Sequence, residues 1–278
     1  MNRKLFYIIT CLALLWQALL NNSPFDSLAG AALGESVELH IIMYHELHKS
    51  PRNMWEITPA EFEADLIYLR DNGYTAVFMQ DIIDYVYEGT PLPDKPIILT
   101  VDDGTYSTMS FMLPLLEQYN TKASWAIIGK ETDKYTTLKR EENIKRYPHV
   151  NWDDVNVGLA SGFVEIICHS YDLHGKNGAG KLSEESNEEY KSRLMGDLAI
   201  FDKALLDNTG LVTKSFAYPL GVISETSDDV LKEAGYLASL SCHEKINKIT
   251  VGDRDCLYGL NRCIRPPRKS LSSILKKG

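Results

Sequence analysis

The sequence predicts one α/β domain built around a parallel, barrel-like sheet. Apolar, strand-like runs alternate with amphipathic, helix-like runs about seven times between residues 38 and 242, which is the order expected when helices connect parallel strands. No linker-like stretch interrupts this alternation, so one domain is favoured over two. A chain of 278 residues with 44% hydrophobic content can also bury the core that such a domain needs.

Before this domain, residues 1–31 are predicted to be a signal peptide or a membrane anchor. A basic start, with Arg3 and Lys4, precedes sixteen uncharged and mostly apolar residues that end at Leu20, and this order is typical of export signals. The apolar run is nearly as long as the roughly 18 to 20 residues that span a bilayer, so a cleaved signal peptide and a retained anchor both stay open. We therefore expect a protein that is secreted or anchored on the outer face of the cytoplasmic membrane.

The first strand is predicted over residues 38–45, in the run ELHIIMYH, and a helix follows it. Thr58 has the side chain of an N-cap, Pro59 suits the first helical position, and Glu61 completes a capping box. Gly73 is the stop signal. The apolar side chains between these signals are spaced for one helical face: Phe62, Leu66 and Leu69.

The alternation continues through the rest of the domain, which we place at residues 38–268. Further strands are predicted over residues 75–79, 95–101, 123–129, 163–169, 214–219 and 237–242. Further helices are predicted over residues 81–89, 107–120, 151–162, 186–210 and 227–236. The remaining residues, 269–278, are predicted to be a basic C-terminal tail.

Charge and cysteine content narrow the possible functions. The formal net charge is −9, which argues against a nucleic-acid partner because such proteins need basic surfaces. Four cysteines follow the predicted export segment, and their spacing matches no zinc-binding pattern. An oxidising compartment would permit a disulfide among Cys242, Cys256 and Cys263, although the sequence does not assign one.

Polar residues stand where several predicted strands end. Asp102 and Asp103 end one strand, His169 ends another, Tyr218 ends a third and His45 ends the first. The carboxyl ends of parallel strands lie at one edge of a sheet, and the reactive groups of such folds collect there. We therefore expect these side chains to share one site.

Two histidines change the meaning of the paired acids. Adjacent acids before a glycine are, on their own, a common turn sequence. The loop after a later strand carries His169 and His174, however, and two imidazoles with one carboxylate are the ligands of a catalytic zinc-type site. Asp102 and Asp103 can then divide two tasks, since one acid binds the metal while the other takes a proton from water. The backbone N–H of Tyr218 is expected to help hold the oxyanion.

Three motifs, in their order along the chain, resemble those of one enzyme family: TVDDG, HSYDLH and FAYPLG. They are similar to the leading motifs of the polysaccharide deacetylases, carbohydrate esterase family four, also called the NodB-homology domain. The similarity covers residues 45–265. It implies a distorted (β/α) barrel with about seven strands. It also implies that Asp102 is the general base and that Asp103, His169 and His174 bind one divalent ion, with zinc as the first choice.

The sequence departs from this family at several functional positions. Leu220 replaces the aromatic residue that follows the proline of the third motif, and a clear fourth motif is missing. The arginine that often opens the third motif is absent before Tyr218. The sequence does not identify the residue that orients Asp102 in its place: Arg265 is one candidate, and a solvated arginine of the C-terminal tail is the alternative interpretation of that residue.

The Leu-x-His motif that supplies the proton donor is also missing. Residues 43–45, Met-Tyr-His, resemble it, and a similar N-terminal MYH occurs in poly-N-acetylglucosamine deacetylases whose motif order is permuted. The resemblance thus implies that His45 protonates the departing amine, while His243 stays open as an alternative.

These features together predict an exported, metal-dependent deacetylase of a cell-wall or extracellular polysaccharide. Its substrate would carry N-acetylated amino sugars, as peptidoglycan, poly-N-acetylglucosamine and chitin-like polymers do. Two alternatives stay open. One is a hydrolase of small amides or cyclic imides with the same fold, which export disfavours. The other is a carbohydrate-binding relic without turnover, which the intact Asp102, Asp103, His169 and His174 disfavour.

Overall fold

A computed structural model describes residues 30–138 and 149–276 of the chain. The predicted export segment therefore lies, apart from its last two residues, outside the described residues. In these two ranges no helix is both long enough and apolar enough to cross a membrane.

The secondary structure follows the predicted alternation of strands and helices. The strands are β1 Ser36–Tyr44, β2 Glu46–Leu47, β3 Glu56–Ile57, β4 Thr75–Ala76, β5 Pro96–Val101, β6 Ala123–Ile127, β7 Val164–Cys168, β8 Ser215–Ala217, β9 Ala238–Leu240, β10 Asn247–Thr250 and β11 Cys263–Ile264. The α-helices are α1 Pro59–Asp71, α2 Met79–Glu88, α3 Leu113–Gln118, α4 Gly129–Thr137, α5 Trp152–Ala160, α6 Asn187–Thr209, α7 Ser227–Glu233 and α8 Leu271–Leu275. The predicted capping box of α1 is present, because Thr58 accepts from the Glu61 N–H and Glu61 accepts from the Thr58 N–H.

The main sheet is curled and mostly parallel, which confirms the predicted fold class. Its strands run in the order β10, β1, β5, β6, β7, β8, β9, with β11 also on β1 and β4 on β5. All of these pairs are parallel except β1 with β10. Leu260 bridges to Leu240 of β9, and β11 pairs with β1 three residues later. Residues 260–264 therefore connect the last parallel strand with the first.

The two faces of the sheet pack against different helices. One face packs against α1, α3, α5, α6, α7 and α8 in the larger apolar cluster. The other, inner face carries Ile41, Ile98 and Ile167, which cluster with the apolar side chains of α2. Side chains alternate between faces along a strand. Asp102 and His169 lie an even number of residues after Ile98 and Ile167, so the inner face changes from apolar to polar where the strands end.

The structure differs from the predicted elements in several places. The strand predicted over residues 75–79 is only Thr75–Ala76, because Met79 already begins α2. Strands β2, β3, β10 and β11 and helix α4 were not predicted. Part of the predicted basic tail forms α8, whose apolar side chains join the larger cluster. The four cysteines in the described part of the chain are all free thiols.

Candidate active site

The turn after β5 gives the two adjacent acids different directions. Asp102 continues the strand, and its N–H donates to Tyr44 O at 2.9 Å. Asp103 and Gly104 then both have left-handed backbone conformations, with φ of +73° and +68°, which a non-glycine residue adopts only at a cost. A Cβ at position 104 would lie 2.9 Å from the Ile127 side chain. The chain therefore turns sharply, and Asp103 leaves the alternation that would otherwise send it to the outer face.

Asp103, His169 and His174 converge as the sequence predicts. The distance from Asp103 Oδ1 is 3.0 Å to His174 Nε2 and 3.6 Å to His169 Nε2. One ligand atom from each residue lies within 4.8 Å of the others. Burial raises the pKa of Asp103, but the two imidazoles beside it hold that pKa well below its usual range. The group is thus an ionised carboxylate between two nitrogen donors.

These three side chains fit a divalent cation. His169 Nδ1 donates to Ala217 O at 2.8 Å, because a carbonyl can only accept. In a neutral His169, Nε2 then presents its lone pair to the Asp103 carboxylate, an arrangement that a cation between the two groups stabilises. Asp103 Oδ1 is buried and forms no hydrogen bond of acceptable geometry within the described residues. One carboxylate and two imidazoles are also the donor set of catalytic zinc sites.

Asp102 is placed for a different task from Asp103. Its carboxylate is buried, and Oδ1 accepts a hydrogen bond from Arg262 Nη1 at 2.7 Å. Oδ2 lies 4.0 Å from His169 Nε2. Burial raises the pKa of Asp102, but the Arg262 guanidinium, together with the neighbouring imidazoles of His169 and His45, outweighs that effect and lowers it. Asp102 is therefore ionised and held through one oxygen, while its other oxygen faces the histidine.

The arginine that orients Asp102 is Arg262, and the candidate Arg265 does not contact Asp102. Arg265 instead donates from Nε and Nη2 to the carboxylate of Asp65, at 2.6 and 3.0 Å. Arg262 is fully buried, and its Nε also donates to Ser241 O at 2.8 Å. The two arginines are three residues apart, so along the extended segment that includes β11 they point to opposite faces. Only Arg262 faces inward.

The role predicted for the Tyr218 N–H is contradicted by its hydrogen bond. That N–H donates to Leu240 O at 3.0 Å between neighbouring strands, and the phenol donates to Asp228 at 2.8 Å. Neither group is available to a ligand. Leu220, two residues later, has a left-handed backbone with φ of +58°, and its N–H makes no hydrogen bond to any described residue. This exposed turn follows Ala217, whose carbonyl holds His169.

His45 lies beside the two acids, as predicted from the end of β1. Burial lowers its pKa below the usual value for a histidine, and the negative charges of Asp102 and Asp103 offset that effect only in part. Its imidazole packs against the indole of Trp55, with 4.6 Å between the ring centroids. Strand β1 pairs in parallel with β5, which ends at the two acids, so a side chain from the end of the N-terminal strand can reach this site.

A polar cavity of about 450 Å³ opens beside the three candidate metal ligands. Its lining includes Asp103 and His174 together with Glu46, Lys130, His149 and Asp172. His149, which the sequence interpretation missed, donates from Nδ1 to Asp103 O at 2.8 Å and so supports the strained turn. A cavity with this lining suits a hydrophilic, hydrogen-bonding ligand better than an apolar one.

Comparisons with known proteins identify the family of this chain. Residues 89–239, more than half of the chain, match the polysaccharide deacetylase family. Poly-beta-1,6-N-acetyl-D-glucosamine N-deacetylase of Escherichia coli K12 is 26% identical over 189 residues, which cover 61% of this chain and only 28% of that protein. The protein of the same name from Staphylococcus aureus MSSA476 is 24% identical over 208 residues, which cover 74% of this chain and 67% of that protein.

Solved structures show the same fold. A de-N-acetylase from Aggregatibacter actinomycetemcomitans is 25% identical, with a TM-score of 0.71 over 87% of this chain and 99% of that one. IcaB from Ammonifex degensii is 24% identical, with a TM-score of 0.68 over 89% of this chain and 96% of that one. More than half of this chain matches one family of hydrolytic enzymes, and the fold brings the motif residues together. This chain therefore belongs to the polysaccharide deacetylases.

Proposed function

We propose that the chain is an exported, metal-dependent N-deacetylase of a polysaccharide built from N-acetylated amino sugars. The observation that carries this proposal is the pairing of an ionised, arginine-held Asp102 with the Asp103, His169 and His174 cluster beside it. The names of the relatives make poly-β-1,6-N-acetylglucosamine the first candidate substrate. Peptidoglycan and chitin-like polymers are the other candidates. Export rests on residues 1–31 of the sequence.

Asp103, His169 and His174 would hold the ion, for which zinc is the first choice. When bound, such an ion acidifies water and polarises an amide carbonyl. The hydrogen bond from His169 Nδ1 to Ala217 O fixes the ring so that Nε2 faces the site. The bond from His149 to Asp103 O holds the turn that aims the carboxylate.

Asp102 then takes the proton of the attacking water. Arg262 occupies Oδ1, so Oδ2 remains for this proton. The N–H of Leu220, an exposed residue whose N–H makes no hydrogen bond to any described residue, is the donor we assign to the developing oxyanion, in place of the Tyr218 N–H. His45, on the inner face beside both acids, gives a proton to the nitrogen as the amide bond breaks.

The proposal is tested by the release of free amines from acetylated oligosaccharides. The protein would be incubated with β-1,6-linked N-acetylglucosamine oligomers, chitooligosaccharides and peptidoglycan, each with and without a chelator. The proposal predicts release from at least one polymer, loss of release with the chelator and recovery when zinc is added. Release that the chelator does not change would contradict the metal-dependent mechanism. No release from any polymer, with a metal-loaded protein, would favour a non-catalytic role or a small-amide substrate.

A further inference from the structure

Trp55 is a large aromatic side chain exposed at the edge of the candidate active site. It is 43% exposed, although an indole is among the side chains that gain most from burial. Its ring lies against the imidazole of His45, with the two planes inclined by 53°. The exposed part of the indole is therefore adjacent to the group that we expect to protonate the leaving amine.

The loop that carries Trp55 is held by an internal set of hydrogen bonds. The buried Glu56 carboxylate accepts from the Arg52 N–H and from Asn53 Nδ2, both at 2.8 Å. Asn53 Oδ1 in turn accepts from the Trp55 N–H at 2.8 Å. The indole is thus presented by an ordered backbone, and little conformational entropy remains to be lost when a ligand covers it.

A short two-stranded sheet ties this loop to the strand end that bears His45. Strand β2 pairs with β3, and the Glu46 N–H, next to His45, donates to Trp55 O at 3.2 Å. The spacing between the indole and the imidazole is therefore set by backbone hydrogen bonds. Packing alone does not determine it.

We propose that Trp55 is a sugar subsite that stacks on a pyranose ring of the substrate chain, next to the ring that is deacetylated. This rests on the proposed function. Rigid aromatic side chains offer a large amphipathic surface at low entropic cost, and the C–H face of a pyranose ring matches it. The reacting sugar ring is bonded directly to the nitrogen that His45 must reach. The His45 imidazole lies between that nitrogen and the indole, and the two ring centroids are 4.6 Å apart. A sugar ring that stacks on Trp55 is therefore the neighbour of the reacting sugar in the chain.

Two kinds of experiment test the subsite. Steady-state kinetics would compare the full-length protein with its Trp55→Ala and Trp55→Phe variants, using a β-1,6-linked N-acetylglucosamine pentasaccharide. Binding of the pentasaccharide and of N-acetylglucosamine would be measured calorimetrically in the Asp102→Asn protein, with and without Trp55→Ala. Val212→Ala is the matched control, because Val212 is also exposed and precedes β8, at the opposite end of the parallel strands.

We expect Trp55→Ala to raise the KM and the Kd for the pentasaccharide about tenfold, from the apolar area that one sugar ring covers. The turnover number and the binding of N-acetylglucosamine should stay unchanged, and Trp55→Phe should recover much of the affinity. Thermal unfolding and metal content must match the parent protein. An unchanged KM, or a fall in turnover number at unchanged KM, would overturn the subsite. If the parent protein itself releases no amine, the proposed function fails instead.

Discussion

Replacing Arg262 by methionine is expected to remove most of the activity while the metal ligands stay in place. The guanidinium lies 2.7 Å from Asp102 Oδ1, and both side chains are at most 3% exposed. Without it, the burial that raises the pKa of Asp102 is opposed only by the imidazoles of His169 and His45, and the carboxylate loses the contact that fixes its direction. General-base catalysis contributes about 100- to 10,000-fold to a rate, so kcat/KM for an acetylated oligosaccharide should fall by about 100-fold or more.

Arg265→Met is the matched control for this variant. The Arg265–Asp65 pair is also buried, with side chains at most 3% exposed, but neither residue belongs to the site. Breaking a buried ion pair costs about 3–5 kcal/mol of unfolding free energy. Both variants should therefore unfold about 6–20 °C below the parent protein. Only Arg262→Met should lose activity at a temperature where both are folded.

The assay is kcat/KM as a function of pH, together with metal content. Because Arg262 lowers the pKa of Asp102, its removal should shift the acid limb of the profile to higher pH, and Arg265→Met should leave that limb in place. Arg262→Lys, which keeps a positive charge, should lie between the parent and Arg262→Met. If Arg262→Met and Arg265→Met lose the same activity, Arg262 does not orient the general base. The Arg262–Asp102 ion pair would then contribute only to the stability of the fold.

Two further predictions concern single side chains. His45→Ala should lower amide turnover by about 100-fold or more at unchanged metal content, yet hydrolysis of 4-nitrophenyl acetate should change little, because nitrophenolate leaves without a proton. If His243→Ala is inactive while His45→Ala keeps normal amide turnover, the proton donor is His243 and the assignment to His45 is wrong. Burial raises the pKa of Glu165 to about 7, despite hydrogen bonds from Ser124 and the start of α2. The folded protein therefore favours the protonated form of Glu165. This preference adds to the free energy of unfolding in full below pH 4.5, and the added stability is lost as the pH rises through 7. Denaturation curves should show this loss, about 3 kcal/mol at most, and Glu165→Gln should abolish it. If the free energy of unfolding depends on pH in the same way in the parent and in Glu165→Gln, the raised pKa of Glu165 is contradicted.

The metal-ligand cluster could be predicted because its signals are local. His169 and His174 lie on one loop, and Asp102 and Asp103 are adjacent at the end of an apolar strand. Parallel strands bring such ends together by geometry alone. The sequence also contained a usable signal for the orienting arginine. Arg262 and Arg265 are an odd number of residues apart, so only one of them can face inward from an extended segment.

Other features depend on pairings that the sequence does not specify. The Tyr218 N–H is occupied because β8 pairs with β9 in a register that places Leu240 O opposite it. His149 reaches Asp103 through an isolated antiparallel bridge to Thr105, and no motif marks it. The segment predicted as a basic tail contains apolar residues at helical spacing, and α8 packs them against the core.

The division of labour between the two adjacent acids is the central claim, and one paired measurement tests it most directly. Metal content and amine release would be determined side by side for Asp102→Asn and Asp103→Asn. We predict that Asp102→Asn keeps one equivalent of metal and loses about 100- to 10,000-fold in turnover, while Asp103→Asn loses the metal itself. If Asp103→Asn retains the metal, or Asp102→Asn is the variant that loses it, the assignment of base and ligand is contradicted.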